Sequence, residues 1–249
     1  MPGTNLTRAE AATRAALLRV DRYDVALALP ADADTFASTS TVRFTCAEPG
    51  TSSFIDLIAP QVHRVRLNGR DLDPAEVVSE GRIALPDLAA DNELTVVAEA
   101  AYMQTGEGLH RFVDPVDQEV YLYSQFEVAD ARRVFACFDQ PDLKATFAFT
   151  VTAPRHWQVV SVSPTPAPAP AGEGTATWRF PATPRLSSYV TAIVAGPYHR
   201  VDAELTSRDG RTIPLGVFCR ASLAEHLDAD NVLDVTRSGF AHYEELFDL

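Results

Sequence analysis

The sequence predicts a mainly β fold in which the strands pair largely antiparallel. Segments rich in β-branched and aromatic residues recur along most of the 249 residues, and several alternate apolar with polar positions, as half-buried strands do. Clusters of turn residues separate these segments, and helical patterns are rare between them. This spacing favours antiparallel sheets over a Rossmann-like fold. Apolar residues make up 46% of the chain, which is enough for a substantial core.

A short helix is predicted before the first strand. Thr7 is a suitable N-cap, and Glu10, three residues later, completes a capping box. Four apolar residues are expected to form the buried side of this helix, namely Ala11, Ala15, Leu17 and Leu18. Residues 1–20 lack a basic region followed by an apolar run, so no signal peptide is predicted.

The predicted strands fall into two runs. The first run comprises residues 23–29, 41–47, 53–59, 63–69, 82–85 and 93–100. The second run comprises residues 145–153, 157–163, 175–180 and 188–196. Within the second run, residues 164–174 alternate proline with alanine, which indicates a stiff, solvated segment. Because strands of the same character flank this segment, a surface hairpin loop is favoured over a domain linker.

The pattern changes near residue 204. Residues 206–219 hold an Arg-Asp-Gly turn between two strand-like runs, which predicts a hairpin. A helix is predicted over residues 222–247. Its apolar positions at helical spacing are Leu223, Leu227, Val232, Val235, Phe240, Tyr243 and Phe247. Since the chain stops directly after this helix, we expect residues 204–249 to begin a further domain whose remainder is missing.

Charge and cysteine content favour some partners over others. The net charge of −13 is spread along the chain, which argues against nucleic acid and anionic membranes, because both require a basic face. It favours cationic ligands, including peptides with a free amino terminus. The three cysteines are far apart and odd in number, which favours reduced thiols in a cytosolic protein. No stretch approaches the roughly 20 apolar residues of a membrane span.

No catalytic or metal-binding motif is evident. The chain has six histidines but no H-E-x-x-H motif, and His226 and His242 lie too far apart along one predicted helix to share a metal ion. Gly106 and Gly108 indicate a turn, since the third glycine and the following helix of a phosphate-binding loop are absent. No G-x-S-x-G nucleophile motif is found either. We therefore predict no catalytic and no metal-ligating residue in this chain.

Residues 121–127 form the most unusual stretch. Tyr121, Tyr123, Gln125 and Glu127 occupy every second position, so on an extended strand all four share one face. Two tyrosines beside an amide and a carboxylate are unusual on a buried face and on a solvated face alike. Two interpretations stay open from the periodicity: Gln125 and Glu127 bind a ligand, or they are polar residues of a strand near a sheet edge.

If Gln125 and Glu127 are only polar residues of a strand near a sheet edge, the residues after them should form ordinary local structure. Residues 129–138 predict a helical turn between two strands. In the absence of a ligand, Arg132, Arg133 and Asp139 are expected to pair with one another locally.

Three segments between residues 108 and 147 carry a family resemblance. GLHRFVDP, YLYSQFE and ARRVFACFDQPDLKATF closely resemble the N-terminal domain of the aminopeptidase N family of zinc metallopeptidases, the actinobacterial type in particular. SPTP, SSYVTAIVAGPY and the final HYEELFDL match that family in the expected order. The resemblance therefore covers essentially the whole chain.

The resemblance implies a fold and a role for two residues. Residues 1–203 are expected to form a saddle-shaped, mostly antiparallel, sandwich-like β domain, and residues 204–249 the beginning of a thermolysin-like catalytic domain. In the family, the position of Glu127 binds the free α-amino group of the substrate, and the position of Gln125 lines the pocket for the first side chain. Tyr121 and Tyr123 either wall the same cleft or pack beneath the strand.

The resemblance also implies what this chain lacks. The family's catalytic domain binds zinc through H-E-x-x-H and a downstream glutamate, and it carries a Gly-x-Met-Glu-Asn exopeptidase loop; neither motif occurs here. We therefore expect the N-terminal part of a cytosolic, zinc-dependent aminopeptidase that anchors peptides with a free amino terminus and is inactive without its missing catalytic domain. A rival hypothesis is a stand-alone β-sandwich module that binds peptides by strand addition. A third is a naturally truncated regulator that competes for substrate.

Overall fold

The structure is a computed structural model that describes residues 5–248. Its strands in chain order are β1 (Leu18–Ala28), β2 (Thr35–Cys46), β3 (Ser53–Asp56), β4 (Gln61–Leu67), β5 (Arg70–Leu72), β6 (Val78–Ser79), β7 (Arg82–Leu85), β8 (Asp91–Ala101), β9 (Gly108–Val113), β10 (Val120–Gln125), β11 (Thr146–Pro154), β12 (Gln158–Ser161), β13 (Ala169–Gly172), β14 (Thr175–Arg179), β15 (Ile193–Gly196), β16 (His199–Thr206) and β17 (Thr212–Cys219). Its α-helices are α1 (Arg8–Leu17), α2 (Pro74–Val77) and α3 (Ala229–Phe247), and 3₁₀ turns cover Ala131–Arg133, Ser188–Val190 and Ala221–His226. The predicted mainly β fold is confirmed.

The described chain forms two compact units. The first contains residues 5–112 and 122–195, and the second contains residues 113–121 and 196–248. The predicted domain boundary between residues 203 and 204 stays a prediction.

An eight-stranded sheet dominates the first unit. Its strand order is β13-β14-β11-β1-β2-β8-β4-β5. The pairs are antiparallel, with one exception: β1 and β11 run parallel, in register from Arg22 opposite Thr146 to Ala28 opposite Thr152. The largely antiparallel arrangement agrees with the prediction, whereas the parallel pair was not predicted.

The side chains of this sheet alternate between its two faces, and one face is buried. In β2, Phe36, Val42 and Phe44 are buried, while Ala37 and Arg43 point to the exposed side. This period of two is what the sequence pattern predicted for half-buried strands.

Aromatic rings connect the large sheet to the four-stranded sheet β12-β15-β10-β9 of the same unit. Tyr23 of β1 stacks on Phe147 of β11 with 4.6 Å between ring centroids. Phe135 lies against Phe147 and Phe149 on the large sheet and against Phe126 next to β10, with centroid distances of 6.2, 5.7 and 6.1 Å. This shared core is the sandwich-like packing that the sequence predicted.

Helix α1 has the predicted cap but a different buried side. The Thr7 side chain accepts the Glu10 N–H, and the Glu10 carboxylate accepts the Thr7 N–H, which completes the capping box. The expected apolar side is confirmed only at Leu18, which is buried but is the first residue of β1. Within the helix the buried residue is Arg14, whereas Ala11, Ala15 and Leu17 are half-buried. Burial of an arginine is possible here because a carboxylate and an amide meet it inside the core.

The proline- and alanine-rich segment 164–174 is part of a hairpin. Residues Ala169–Gly172 form β13, the edge strand, and pair antiparallel with β14. The prediction of a hairpin loop between the flanking strands is therefore wrong, because β12 lies in the four-stranded sheet and the segment itself contributes a strand that pairs with β14. The linker alternative is wrong too, since β12 and β14 belong to the same compact unit. Proline is well suited to an edge strand, because it lacks the N–H that an inner strand would need.

The second unit contains the predicted hairpin and helix. Strands β16 and β17 pair antiparallel from His199 opposite Cys219 to Thr206 opposite Thr212. The predicted helix 222–247 is divided into the 3₁₀ turn Ala221–His226 and α3, which begins after the N-cap Asp228.

The apolar side predicted for this helix is mostly not buried. Leu233, which did not belong to the predicted set, is the buried residue of α3. Val235, Tyr243 and Phe247 are 65%, 58% and 63% exposed. Helical spacing therefore predicted which residues share one side of the helix. It did not predict whether that side is buried.

Candidate functional site

Strand β10 is an inner strand of the four-stranded sheet, between β15 and β9. Leu122 and Tyr123 lie opposite Ala195 and Val194 of β15. The Ser124 hydroxyl accepts the Ile193 N–H at 2.8 Å, which adds a side-chain contact to the strand pairing. The end of β10 that carries Gln125 is thus held by a neighbouring strand.

Tyr121 is a packing residue. It belongs to the second unit and is 1% exposed, with its ring 5.0 Å from that of Tyr198. Its hydroxyl donates to Asp117 at 2.7 Å and accepts the Ala221 N–H at 2.9 Å. Burial, followed by the hydrogen bond to Asp117, raises the pKa of Tyr121 to about 12. Of the two roles left open for Tyr121, packing is the one the structure shows.

Tyr123, by contrast, is 43% exposed. Its ring lies 4.8 Å from that of His110 in the adjacent part of the first unit. The Nδ1 atom of His110 accepts the Gly106 N–H at 3.1 Å, which fixes the orientation of the imidazole. The exposed Tyr123 ring therefore lies on the same side of β10 as Gln125 and contacts the half-buried His110.

Gln125 and Glu127 are both exposed, but only Gln125 lies on the strand. The expectation that a strand presents Glu127 is wrong. Strand β10 ends at Gln125, and Glu127 lies in a turn that is closed by a hydrogen bond from the Asp130 N–H to the Phe126 carbonyl at 3.1 Å. Phe126 is 2% exposed and lies between the exposed Gln125 and Glu127, so the alternation of burial continues past the end of the strand.

The two candidate residues are joined directly. The Glu127 N–H donates to the Gln125 side-chain oxygen Oε1 at 2.7 Å. The Glu127–Val128 peptide bond is cis. Among residues 5–248, no side chain forms an ion pair or hydrogen bond with the Glu127 carboxylate. The carboxylate is thus an exposed negative charge on a backbone that the turn holds in place.

The predicted local pairing after β10 is correct only in part. Residues Ala131–Arg133 form a 3₁₀ turn, as expected for this stretch. Arg133 pairs with Asp130 and Glu107 and not with Asp139. Asp139 accepts the backbone N–H of Arg132 at 3.1 Å and the Ser188 hydroxyl at 2.6 Å, and burial raises its pKa to about 6.

A buried polar cluster beneath this region escaped the sequence analysis. Arg14 donates to Asp56 at 2.7 Å and to Gln140 at 3.0 Å, and Asp56 also accepts the Asp139 N–H at 3.0 Å. These residues are far apart in the chain, and no motif or spacing connects them. The cluster is a structural element, since its side chains point away from solvent.

Over residues 5–248, no group of three or more His, Cys, Asp or Glu side chains is placed to hold a metal ion. Within the same range, none of the helices combines the length and the apolar character needed to cross a bilayer.

Comparison with known proteins decides the family. The peptidase M1 N-terminal domain matches residues 20–190 of the chain. The chain belongs to the peptidase M1 N-terminal domain family. The predicted resemblance is thereby confirmed, and the segment from β1 to the 3₁₀ turn Ser188–Val190 is an M1 N-terminal domain.

Individual relatives of this M1 N-terminal domain extend the similarity. Aminopeptidase N from Streptomyces lividans is 59% identical over 251 aligned residues, which include 100% of this chain and 29% of that protein. Aminopeptidase N from Acetobacter pasteurianus is 41% identical over 104 residues, 42% of this chain. Rabbit aminopeptidase N is 29% identical over 223 residues, 81% of this chain and 23% of its own. The chain thus spans less than a third of the length of these relatives.

Proposed function

We propose that this chain is the substrate-anchoring part of a zinc-dependent aminopeptidase that releases residues from the amino termini of peptides. In this proposal the Glu127 carboxylate binds the α-ammonium group of the substrate, and Gln125 lines the pocket for its first side chain. One observation carries the proposal: an exposed carboxylate without a partner among residues 5–248 is held next to an exposed amide.

An exopeptidase has to recognise the end of a peptide, and the end differs from the interior by a positively charged amino group. A fixed carboxylate binds that group through a charge-assisted hydrogen bond, which is stronger than a neutral one. Because the Gln125–Glu127 hydrogen bond restrains the turn, the carboxylate is positioned before the substrate arrives, which lowers the entropic cost of binding.

Tyr123 and His110 add to this site. Their rings lie 4.8 Å apart, and Tyr123 is exposed on the side of β10 that also carries Gln125. We propose that Tyr123 walls the cleft that holds the first residues of the peptide. Tyr121 has no such role in the proposal, since it is buried.

The chemical step is assigned to a part of the protein outside this chain. Zinc would supply an activated water molecule there. The isolated chain is accordingly proposed to be inactive. Its three cysteines are free thiols, which supports a reducing, cytosolic location.

The decisive experiment uses a chimera. The Streptomyces lividans aminopeptidase N would carry this chain in place of its own matching segment, and kcat/KM would be measured with leucine p-nitroanilide. Truncating one partner of a desolvated charge pair costs about 2–5 kcal/mol, so Glu127→Ala should lower kcat/KM by roughly 1.5 to 3.5 decades. Glu173→Ala, at another exposed glutamate, should leave kcat/KM unchanged.

Two results would refute the proposal. An unchanged kcat/KM in the Glu127→Ala chimera would remove the anchoring role and would favour the rival hypothesis of an interaction module. Turnover of the same substrate by the purified 249-residue chain with added zinc would contradict the assignment of the chemistry to another part of the protein.

A further inference from the structure

Arg133 connects two segments that flank the candidate anchor. Its Nε atom lies 2.7 Å from the Asp130 carboxylate, in the turn that contains Glu127. Its NH2 group lies 3.1 Å from the carboxylate of Glu107, in the loop that precedes β9. The side chains of Arg133 and Asp130 are only 18% and 21% exposed, so their contact is partly shielded from solvent, whereas the Glu107 side chain is 51% exposed.

The aliphatic part of the Arg133 side chain is also closely packed. Gly108, the first residue of β9, has a φ of +61°, and a Cβ atom built there would lie 3.0 Å from the Arg133 Cβ. The close approach of β9 to this side chain therefore depends on a glycine. The Arg133 N–H also donates to the Asp130 carbonyl at 3.1 Å, so backbone and side chain hold the same turn.

The loop on the other side of Arg133 leads to the aromatic pair. Gly106, next to Glu107, donates its N–H to the His110 imidazole at 3.1 Å. The His110 ring in turn contacts the Tyr123 ring on β10. Arg133 thus holds both the turn that carries Glu127 and the loop that orients His110.

We propose that Arg133 is a positioning residue for the substrate anchor. It acts through Asp130 on the turn that places the Glu127 carboxylate, and the proposal therefore rests on the function proposed for Glu127. Without the guanidinium, the Asp130 and Glu107 carboxylates lose their shared counter-charge and repel each other. The turn then loses the restraint that keeps the anchor in a single position.

An arginine suits this task better than a lysine. Two nitrogens of one planar guanidinium face two different carboxylates, which fixes the direction between the turn and the loop. A lysine ammonium can neutralise the same charges but does not impose that geometry. Arg133→Lys is therefore expected to keep part of the positioning, and Arg133→Ala to lose it.

The test measures recognition of the amino group directly. In the chimera described above, inhibition by leucine hydroxamate is compared with inhibition by 4-methylpentanohydroxamate, which lacks the amino group. The ratio used here is the inhibition constant of 4-methylpentanohydroxamate divided by that of leucine hydroxamate, and it reports the binding of the amino group. It is insensitive to losses that affect both inhibitors equally. Arg133→Ala should lower this ratio about tenfold, in line with the effect of a displaced binding group, and Arg133→Lys should lower it less.

A double variant separates positioning from general damage. If Arg133 acts through the anchor, Arg133→Ala should have no further effect on the ratio in a Glu127→Ala background. Arg64→Ala removes an exposed pair with Asp71 elsewhere in the same unit and should leave the ratio unchanged. Should Arg133→Ala fail to fold, Asp130→Asn removes one of the two pairs and is expected to lower the ratio in the same direction.

The outcomes are distinct. A folded Arg133→Ala chimera with an unchanged ratio, together with a reduced ratio in Glu127→Ala, refutes the role of Arg133 and leaves the anchor intact. An unchanged ratio in Glu127→Ala refutes both proposals. Equal losses in Arg133→Ala with and without Glu127 refute positioning, because the two residues then act independently.

Discussion

The Arg14 guanidinium lies 2.7 Å from the Asp56 carboxylate, and both side chains are almost fully buried, with 2% and 4% exposure. Helix α1 is thereby joined to β3 by an ion pair inside the core. Gln140 accepts a second hydrogen bond from Arg14, and the Phe54 ring lies 4.7 Å below the guanidinium. The cluster replaces the apolar contacts that a helix of this length ordinarily uses for docking.

The first prediction concerns this pair. Arg14→Ala leaves a buried carboxylate without its counter-charge, and we expect the free energy of unfolding to fall by about 3–5 kcal/mol. The exposed pair Arg64–Asp71 is the matched control, and Arg64→Ala should cost less than about 1 kcal/mol. Urea unfolding of the three proteins measures both values. Equal losses in the two variants would show that the buried pair does not stabilise the fold.

The second prediction concerns the pH dependence of stability. Burial raises the pKa of Asp139 to about 6, so the folded protein retains a proton that the unfolded chain releases at lower pH. The contribution of Asp139 to stability therefore falls as the pH rises from about 4 to about 6, by roughly 3 kcal/mol for a shift of this size. Asp139→Asn should remove this part of the pH dependence.

Asparagine is a suitable replacement at this position. Its oxygen can accept the Arg132 N–H, and its amide can donate to the Ser188 hydroxyl, as a protonated carboxyl would. The difference in unfolding free energy between Asp139→Asn and the unchanged chain should therefore grow from pH 4 to pH 6. Asp142→Asn, at an exposed aspartate, controls for the loss of a charge. A constant difference for Asp139→Asn over this range would contradict the assignment.

The third prediction compares two glycines in one loop. Gly106 and Gly108 both have positive φ values, +89° and +61°. A Cβ atom at Gly106 would meet no atom within 4 Å, whereas at Gly108 it would meet Arg133. Gly106→Ala should thus cost only the backbone strain of roughly 1 kcal/mol, and Gly108→Ala about 1–3 kcal/mol more from the steric conflict. Thermal and urea unfolding measure the difference, and equal costs would speak against the tight contact at Arg133.

The fourth prediction concerns thiol reactivity. Cys137 is fully buried, and burial raises its pKa well above the usual range, while Cys219 is half-buried. Iodoacetamide should therefore modify Cys219 first in the native protein and Cys137 only after unfolding in urea. Peptide mass spectrometry locates the label, and Cys219→Ser should leave the native chain almost unlabelled. Labelling of Cys137 at the rate of Cys219 in the native protein would contradict the burial.

Local patterns predicted the elements of the fold well. The alternation in β2, the capping box of α1 and the Arg-Asp-Gly turn between β16 and β17 all depend on residues close in the chain. The partners of these elements were harder to predict. The burial of Arg14 depends on Asp56, and periodicity treats an arginine as a surface residue. Likewise, the parallel pairing of β1 with β11 has no local signal.

The candidate site was predictable in part for the same reason. Alternation placed Gln125 on a strand without deciding whether its face is exposed, and it also extended the strand to Glu127. The alternation of burial continues through Phe126 and Glu127, but the strand ends at Gln125 because the Asp130 N–H closes a turn on the Phe126 carbonyl. The role of the two residues came from the family resemblance, since an exposed amide and carboxylate have no unique function by themselves.

The parallel pairing of β1 and β11 bears on how the protein emerges from the ribosome. Tyr23 needs Phe147 to cover its ring, and residues 29–145 separate the two strands in the chain. While translation is still in progress, β1 and β2 can form an early hairpin, but the hairpin stays open along one edge until β11 has been synthesised. Such an edge is a target for holding chaperones and for wrong pairing between nascent chains. Slow synthesis of residues 29–145, which delays β11, should therefore lower the yield of native protein more than slow synthesis of the hairpin β16–β17.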